Sequence, residues 1–489
     1  MKRVAKKKSN LASDSILLTF VRCVTLLTTM VQTMLLARIM TLTEYGVYSQ
    51  LLLVVSIVTT FSGLGLNNAI NYFYNKEEQK DKGNYVNHIF SLTIIVGLIA
   101  AVLTFILRGA IASYYKNEMI TGLIIYIALR PMLANVVGLY QPLYISAGKS
   151  KTIAARNFII SVIQAISIPV SFYFTRDLRI VLSIQVLLDV LQIIYFGFDF
   201  NRKVLKIKIA TMDFTIVKKV LTYSMPLGLA LMLGTLFKEA DKLVIARLMD
   251  ESWLAIYTNM SKQLPFEFVV ISFTAVITPV IVKLYSKKDI NGIKNLWSNY
   301  IQFGYLSTWI LCAGAIVCAP ELLEFLYSSK YMVGLSIFII YLITEMFRFC
   351  YFGLILSATG KTKFILFSSF VTLIINLILN ILLYYAIGFI GPAVATLITV
   401  IVMNSVQLLI SCRQLKIPLL DIINLKRVAK TITCILISGA ISVILKYALG
   451  AIINSYMIKL IVIYLLFITI SGLLLKKDII FTLKNIKEE

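Results

Sequence analysis

Three basic side chains interrupt apolar segments without an acidic residue within one helical turn: Arg22, Arg130 and Lys262. An ionised side chain at the centre of a membrane helix costs about 3 kcal/mol on insertion scales, so it usually faces a bundle interior or a water-filled cavity. Glu267 follows Lys262 beyond the reach of one turn. We therefore take these three residues as the candidate cationic lining of a substrate-binding cavity.

Other charged residues lie in apolar segments and form a second group of cavity or ion-coupling candidates: Lys238, Glu239, Asp241, Lys242, Glu267, Glu345 and Arg348. In the first half of the chain, Asp189 is a further charge within such a segment. Opposite charges in the second group recur three residues apart, where side chains on one helix meet. These pairs are Lys238 with Asp241, Glu239 with Lys242, and Glu345 with Arg348. Local neutralisation and a functional role both stay open for them.

Residue types that usually carry catalysis or bind metals are sparse. The one histidine, His88, lies at the end of an apolar segment, and the six cysteines form neither a CxxC motif nor a Cys/His cluster. The TGKT stretch at 359–362 lacks the earlier glycine of a phosphate-binding loop, because Ile355 occupies that position. We predict a non-enzyme without metal or cofactor, energised by a proton or sodium gradient, the membrane potential or the substrate gradient.

The composition explains why these charges stand out. Of 489 residues, 59% are hydrophobic and 14% are charged, whereas soluble domains carry about 25% charged residues. A helical span needs about 20 apolar residues, and such stretches repeat along the chain. We predict an all-α integral membrane protein with about fourteen transmembrane helices. The predicted spans are 15–39, 46–68, 87–107, 119–145, 157–175, 180–198, 222–248, 254–282, 296–318, 332–357, 364–385, 390–411, 429–447 and 456–475.

The net charge of +24 is best explained by membrane topology. Lys and Arg concentrate in the first eight residues and in the loops 201–219 and 413–430, which the positive-inside rule places in the cytoplasm. Both termini are then cytoplasmic. Basic patches of this kind set orientation or contact anionic lipids, so we do not expect a nucleic-acid partner.

The chain also resembles itself. Residues 36–40 followed by Tyr48 match 245–249 followed by Tyr257, and 146–151 match 358–363 at nearly the same offset. Six spans separate matching positions, so both halves enter the membrane in the same direction. We predict an N-terminal lobe at 1–205, a C-terminal lobe at 206–415, and two additional helices with a cytoplasmic tail at 416–489. A substrate path is expected between the lobes, working by alternating access.

Several stretches, in this order, resemble the polysaccharide flippases of the multidrug/oligosaccharidyl-lipid/polysaccharide exporter superfamily. They are 37–48 with the glycines of 63–65, 146–157, Asp241 with Ala246, Arg247 and Tyr257, 320–327, and 360–363 with Asn376, Asn380 and 388–396. Together they cover the first twelve predicted spans.

The resemblance implies a V-shaped bundle of two six-helix lobes around a central cavity, in the bacterial inner membrane, with a lipid groove beside the last two helices. It implies a cargo of undecaprenyl-diphosphate-linked sugar repeat units for O-antigen, capsule or exopolysaccharide, moved from the cytoplasmic to the outer leaflet. Polysaccharide assembly proteins would be partners. A cationic cavity suits a diphosphate, because a phosphate in low dielectric needs charge-assisted hydrogen bonds.

Other functions compete with this interpretation. A peptidoglycan-precursor flippase and a cation-coupled drug exporter belong to the same superfamily. A membrane glycosyltransferase or polymerase would need large extracytoplasmic loops, and no loop predicted to lie outside exceeds about 15 residues. A scaffold without transport activity would not explain the internal repeat or the charges within spans.

Overall fold

A computed structural model describes residues 2–76, 79–209, 212–450 and 455–488; within these ranges, the side chains at 2–16, 79–80, 267–269, 450 and 486–488 are not described. The regular elements of the described part are helices, without a strand. Up to residue 260 they are α1 (Lys2–Ile39), α2 (Leu42–Gly63), α3 (Leu66–Lys76), α4 (Gln79–Ile106), α5 (Arg108–Tyr115), α6 (Met119–Ile127), α7 (Arg130–Ser146), α8 (Ser150–Thr175), α9 (Leu178–Lys203), α10 (Phe214–Leu248) and α11 (Glu251–Met260).

The remaining helices are α12 (Glu267–Ser286), α13 (Ile290–Val317), α14 (Ala319–Tyr327), α15 (Leu335–Met346), α16 (Leu354–Ala358), α17 (Thr362–Ile387), α18 (Gly391–Leu415), α19 (Leu419–Ile422), α20 (Leu425–Gly450), α21 (Tyr456–Leu474) and α22 (Lys476–Glu488). Short 3₁₀ turns occur at Ser329–Gly334 and Gly388–Ile390.

Twelve helical segments of the described part are long and apolar enough to cross a membrane. One of them, Thr362–Leu415, holds both α17 and α18, which are separated by a turn in which Gly388 has a positive φ of 69°. A shorter apolar helix covers Val270–Ser286. The predicted all-helical membrane fold is confirmed, and each predicted span overlaps helical structure in the described residues.

The predicted span 254–282 is wrong in one respect, because the chain is not helical throughout it. Helix α11 ends at Met260, and α12 begins only at Glu267. Pro265 lacks a backbone N–H, and in a continuous helix its ring would collide with the carbonyl group of Ser261. The intervening residues 261–266 therefore form an unwound segment between two shorter helices.

The chain divides into two compact units, residues 1–255 and 256–489. In the first unit, α1 packs on α8, and α10 packs on α2 and α3. Gly65 and Gly228 bring the last two of these contacts close, because a Cβ on either would overlap the backbone of the other element. The lobe boundaries predicted from the repeat, 1–205, 206–415 and 416–489, follow sequence similarity and stay a prediction.

The second unit is organised around α13, which packs against α12, α15, α20, α21 and α22. Trp297 and Tyr300 on this helix are almost fully buried. Gly304 lets α13 approach the chain at Phe349, where a Cβ would overlap the backbone carbonyl oxygen. Central packing of this kind fixes the orientation of the polar face of α13.

Candidate functional site: an arginine-rich cavity in the first unit

A cavity of about 560 Å³ lies within the first unit, between helices α1, α7, α8 and α9. We call it the arginine cavity. Its polar and charged lining residues are Thr19, Arg22, Thr25, Gln141, Arg156, Asn157, Ser161, Gln164, Asp189 and Gln192. Amide and guanidinium groups dominate this lining, so it offers many hydrogen-bond donors inside a bundle of apolar helices.

Helix periodicity places these groups on facing sides. On α1, Leu18, Arg22 and Thr25 all line the cavity, at the spacing that puts side chains on one helical face. Arg22 lies about 8 Å along the span Leu17–Ile39, and Arg156 about 9 Å along Ser150–Thr175, at 1.5 Å of rise per residue. Consecutive spans alternate in direction, so both cations lie near the same end of the bundle.

Asp189 lies near the middle of its span and pairs with Arg130 of α7. The Nε of Arg130 is 3.6 Å from the Oδ2 of Asp189, which is ion-pair distance but longer than a good hydrogen bond. Both side chains are mostly buried, at 19% and 12% exposure. Gln192 donates to the Oδ1 of Asp189 at 3.3 Å. The Nη1 of Arg130 is buried without a hydrogen-bond partner among the described residues.

Arg156 of α8 is the second buried guanidinium beside the cavity. Its Nη1 donates to the Oδ1 of Asn157 at 2.6 Å, and its guanidinium carbon lies 4.7 Å from the ring centre of Phe196. The Nε of Arg156 is buried and has no hydrogen-bond acceptor in the described part of the chain. Arg22 is exposed and forms no ion pair with a described residue. Arg22 and Arg156 thus line the cavity together with Asp189, and Arg130 pairs with that carboxylate. Three cations and one carboxylate leave two positive charges in excess among these four residues.

Two features of this site escaped sequence reasoning. Arg156 was missed because the predicted span began at residue 157, whereas α8 begins at Ser150 and carries Arg156 well inside the helix. The sequence signal that could have identified Arg156 is its position directly before Asn157 and two helical turns before Gln164, both amides. Arg130 has no acid within a turn of its own helix, and its partner Asp189 comes from α9, which spacing along one helix cannot reveal.

Lys262 does not join this cavity. It lies in the unwound segment 261–266, in the second unit, rather than inside a continuous helix. Glu267 begins α12, and its side chain lies outside the described residues. Of the three predicted cations, Arg22 lines the cavity, Arg130 is connected to it through its ion pair with Asp189, and Lys262 is not among the lining residues. A role for Lys262 in binding cargo stays a prediction.

The remaining charged candidates fall into two places. On α10, the Nζ of Lys242 lies 2.6 Å from the Oε2 of Glu239, so this pair neutralises itself along the helix. Asp241 is 3% exposed, and its Oδ1 accepts a hydrogen bond from the backbone N–H of Lys242 at 2.7 Å, while Lys238 is exposed. In the second unit, Glu345 is buried at the end of α15, and Arg348 lines a small apolar cavity with Val270 and Thr274, among others.

Comparison with known proteins agrees with this architecture. Residues 35–335 match the model of the family described as polysaccharide biosynthesis protein. An uncharacterized membrane protein of Methanocaldococcus jannaschii is 24% identical over 369 residues, which cover 73% of this chain and 86% of that protein.

Solved structures share the fold at low sequence identity. The lipid II flippase MurJ in an inward closed conformation matches with a TM-score of 0.72 at 15% identity, covering 96% of this chain and 100% of that one. An inward-facing multidrug resistance MATE family transporter of the MOP superfamily matches with a TM-score of 0.64 at 13% identity, covering 80% and 94%. The chain is therefore a multi-pass integral membrane protein with the fold of MOP superfamily transporters, and it belongs to the polysaccharide biosynthesis protein family.

Proposed function

We propose that this protein is a flippase that moves polyprenyl-diphosphate-linked oligosaccharide repeat units from the cytoplasmic to the outer leaflet of a bacterial inner membrane. Membership of the polysaccharide biosynthesis family supports a cargo from that process. The transporter fold supports translocation rather than chemistry. The arginine cavity supports an anionic group as the part of the cargo that the protein grips.

The observation that carries the proposal is a pair of buried guanidinium donors without acceptors in the described part of the chain, the Nη1 of Arg130 and the Nε of Arg156. A buried donor without a partner costs about 1–3 kcal/mol, and a hydrogen bond to a charged group returns about 1.5–3 kcal/mol. A diphosphate diester carries one negative charge on each phosphate and several acceptor oxygens. It would match the two positive charges in excess and satisfy both donors.

The positions of the arginines suit entry from one leaflet. Arg22 and Arg156 lie near the end of the bundle at which α1 begins, and the Arg130–Asp189 pair lies near mid-depth. With the N-terminus cytoplasmic, as the Lys and Arg distribution predicts, the diphosphate would meet Arg22 and Arg156 first. In this proposal Asp189 balances the buried cations until the cargo replaces it as their partner.

Depletion of the protein in its host tests the cargo. The expected result is accumulation of polyprenyl-linked repeat units, measured by mass spectrometry of extracted lipids. Accumulation of a peptidoglycan precursor would instead favour a peptidoglycan-precursor flippase. The fold shared with the lipid II flippase is compatible with that alternative. Unchanged lipid pools with altered drug sensitivity would favour a drug exporter and reject the proposal.

Variants of the protein, expressed in the depleted host, test whether the arginine cavity binds the cargo. Arg156→Gln and Arg130→Gln should each lower polysaccharide export about tenfold or more, since each removes a charge-assisted bond to the phosphates. Arg22→Gln should have a smaller effect, because that side chain is exposed. Arg179→Gln is the matched control, an exposed arginine at the start of α9 outside the cavity. Export at the control level in the Arg130 and Arg156 variants, at equal protein amounts, would reject the cavity as the cargo site.

A further inference from the structure

A second cavity, of about 470 Å³, lies within the second unit and is distinct from the arginine cavity. We call it the amide cavity. One face of α13 supplies Asn295, Ser298, Asn299 and Gln302, at spacings of three and four residues. Arg427 of α20 and Phe481 of α22 complete the opposite side. The cavity is thus a built, polar site in a protein whose surface is mostly apolar.

Two donors in the amide cavity are held in place by their neighbours. The Nη1 of Arg427 donates to the Oε1 of Gln302 at 2.7 Å, and the guanidinium carbon lies 4.3 Å from the ring centre of Phe481. Gln302 is 5% exposed, and its Nε2 is buried without a hydrogen-bond partner among the described residues. Because the Oε1 of Gln302 accepts from Arg427, the orientation of the amide is set and its Nε2 remains a donor available to a ligand.

The charge of the lining favours an anion. Asp421 also borders the cavity, but the Nζ of Lys294 lies 2.6 Å from its Oδ2 and balances it. Beside the cavity, Lys430 pairs with Asp478 at 2.6 Å. No acidic side chain of the described residues forms an ion pair with Arg427, so its charge is the one left in excess. A single anionic group with several oxygens fits this balance.

The location of the amide cavity points to a lipid. Helices α13 and α20 begin there, and α22 follows the end of the span Tyr456–Leu474, so the cavity lies at one end of the helical bundle. On α22, the apolar side chains of Ile480, Phe481 and Leu483 are exposed, while Lys476, Lys477 and Lys484 are basic. An amphipathic helix with a basic polar face is typical of the membrane interface, where phospholipid head groups lie.

We propose that the amide cavity binds the phosphate of an anionic phospholipid head group, separately from the transported cargo. The N–H groups of Arg427 that do not bond to Gln302 donate to the phosphate oxygens, together with the Nε2 of Gln302. Asn295 and Asn299 belong to the same lining, and their amides bind the polar head group. Lipid bound there joins α13, α20 and α22. This site would make the stability of the second unit depend on the lipid composition of the membrane.

Native mass spectrometry of the full-length protein in detergent tests this proposal, with phosphatidylglycerol and phosphatidylcholine added as probes. We expect phosphatidylglycerol to bind the wild-type protein, and Arg427→Gln to weaken that binding about tenfold through loss of the charge-assisted bond. Gln302→Leu should weaken binding by a smaller factor. Lys426→Gln removes a neighbouring exposed charge outside the cavity and serves as the control for general surface attraction.

The outcomes separate the sources of phosphate. Equal loss of binding in Arg427→Gln and Lys426→Gln, or equal binding of both lipids to the wild type, would overturn the proposal. Stabilisation by glycerol 3-phosphate in neutral lipid, lost in Arg427→Gln, would support a phosphate site filled by a soluble ester. Arg427→Lys keeps the charge but loses the planar guanidinium group, so we expect it to bind phosphatidylglycerol partially. If its melting temperature is unchanged, the weaker binding is not caused by a folding defect.

Discussion

The arginine cavity and the amide cavity differ in how their charged side chains are paired. In the first, Arg22 and Arg156 line the cavity with Asp189, and Arg130 pairs with that carboxylate. Two buried guanidinium donors there have no acceptor among the described residues.

In the second, the amide cavity, lysines pair with the nearby acids Asp421 and Asp478, which leaves Arg427 as the unbalanced charge among the described residues. Both cavities hold a buried donor without an acceptor among the described residues, but only the arginine cavity sets a carboxylate against a buried cation, and an incoming anion would have to displace it. In the amide cavity, Arg427 forms no ion pair with a described acid, so an incoming anion would displace no carboxylate.

Removing each cavity's carboxylate should give the largest contrast. Asp189→Asn leaves Arg130 and Arg156 buried without an anion, which should destabilise the first unit by about 3 kcal/mol. Asp421→Asn in the second unit should cost less than about 1 kcal/mol, because Asp421 and Lys294 are 42% and 35% exposed and water screens their attraction. Thermal unfolding of the purified protein, followed by size-exclusion chromatography with fluorescence detection, measures both. Equal losses would mean that the two cavities do not differ in charge balance as described.

A glycine substitution tests whether the amide cavity depends on the packing of α13. A methyl group at Gly304 would overlap the backbone carbonyl oxygen of Phe349, so Gly304→Ala should cost about 2 kcal/mol by forcing α13 outward. Gly122→Ala is the matched control in the first unit, since no atom lies within 4 Å of its Cβ position. That change should be neutral or stabilise by up to about 1 kcal/mol through better helix propensity. A tolerated Gly304→Ala would show that α13 can shift freely and that its polar face is not fixed.

The fold was more predictable than either cavity, for physical reasons that particular residues make clear. Apolar stretches of about 20 residues mark spans regardless of tertiary contacts, so the helices were found with shifted ends. The predicted span that starts at residue 157 leaves Arg156 outside its helix, which begins at Ser150. The predicted span 254–282 runs through Pro265, where the helix is interrupted.

Contacts between different helices could not be predicted from residue spacing along the chain. Nothing in the spacing of Arg130 and Asp189 shows that α7 and α9 bring them to 3.6 Å. The polar stripe on α13, by contrast, is visible in the sequence, because Asn295, Asn299 and Gln302 recur at helical spacing. These residues are uncharged, so the criterion that selects Arg22 and Arg130, a charge within an apolar segment, does not select them.

The smallest predicted effect comes from the helix caps Asp177 and Asp289, one in each unit. Asp177 caps α9, which carries Asp189, by accepting from the backbone N–H of Arg179 at 2.8 Å; Asp289 caps α13 by accepting from Gly292 at 2.9 Å. Each Asp→Ala change should cost about 1 kcal/mol, and Asp→Asn should restore most of it, because both side chains accept the same hydrogen bond. Since the two caps are chemically alike, equal losses in thermal unfolding would show that both units contribute equally to the measured transition. A loss confined to Asp289→Ala would instead mean that the second unit unfolds first. The measured difference between Asp189→Asn and Asp421→Asn would then be smaller than the true cost of removing the carboxylate of Asp189.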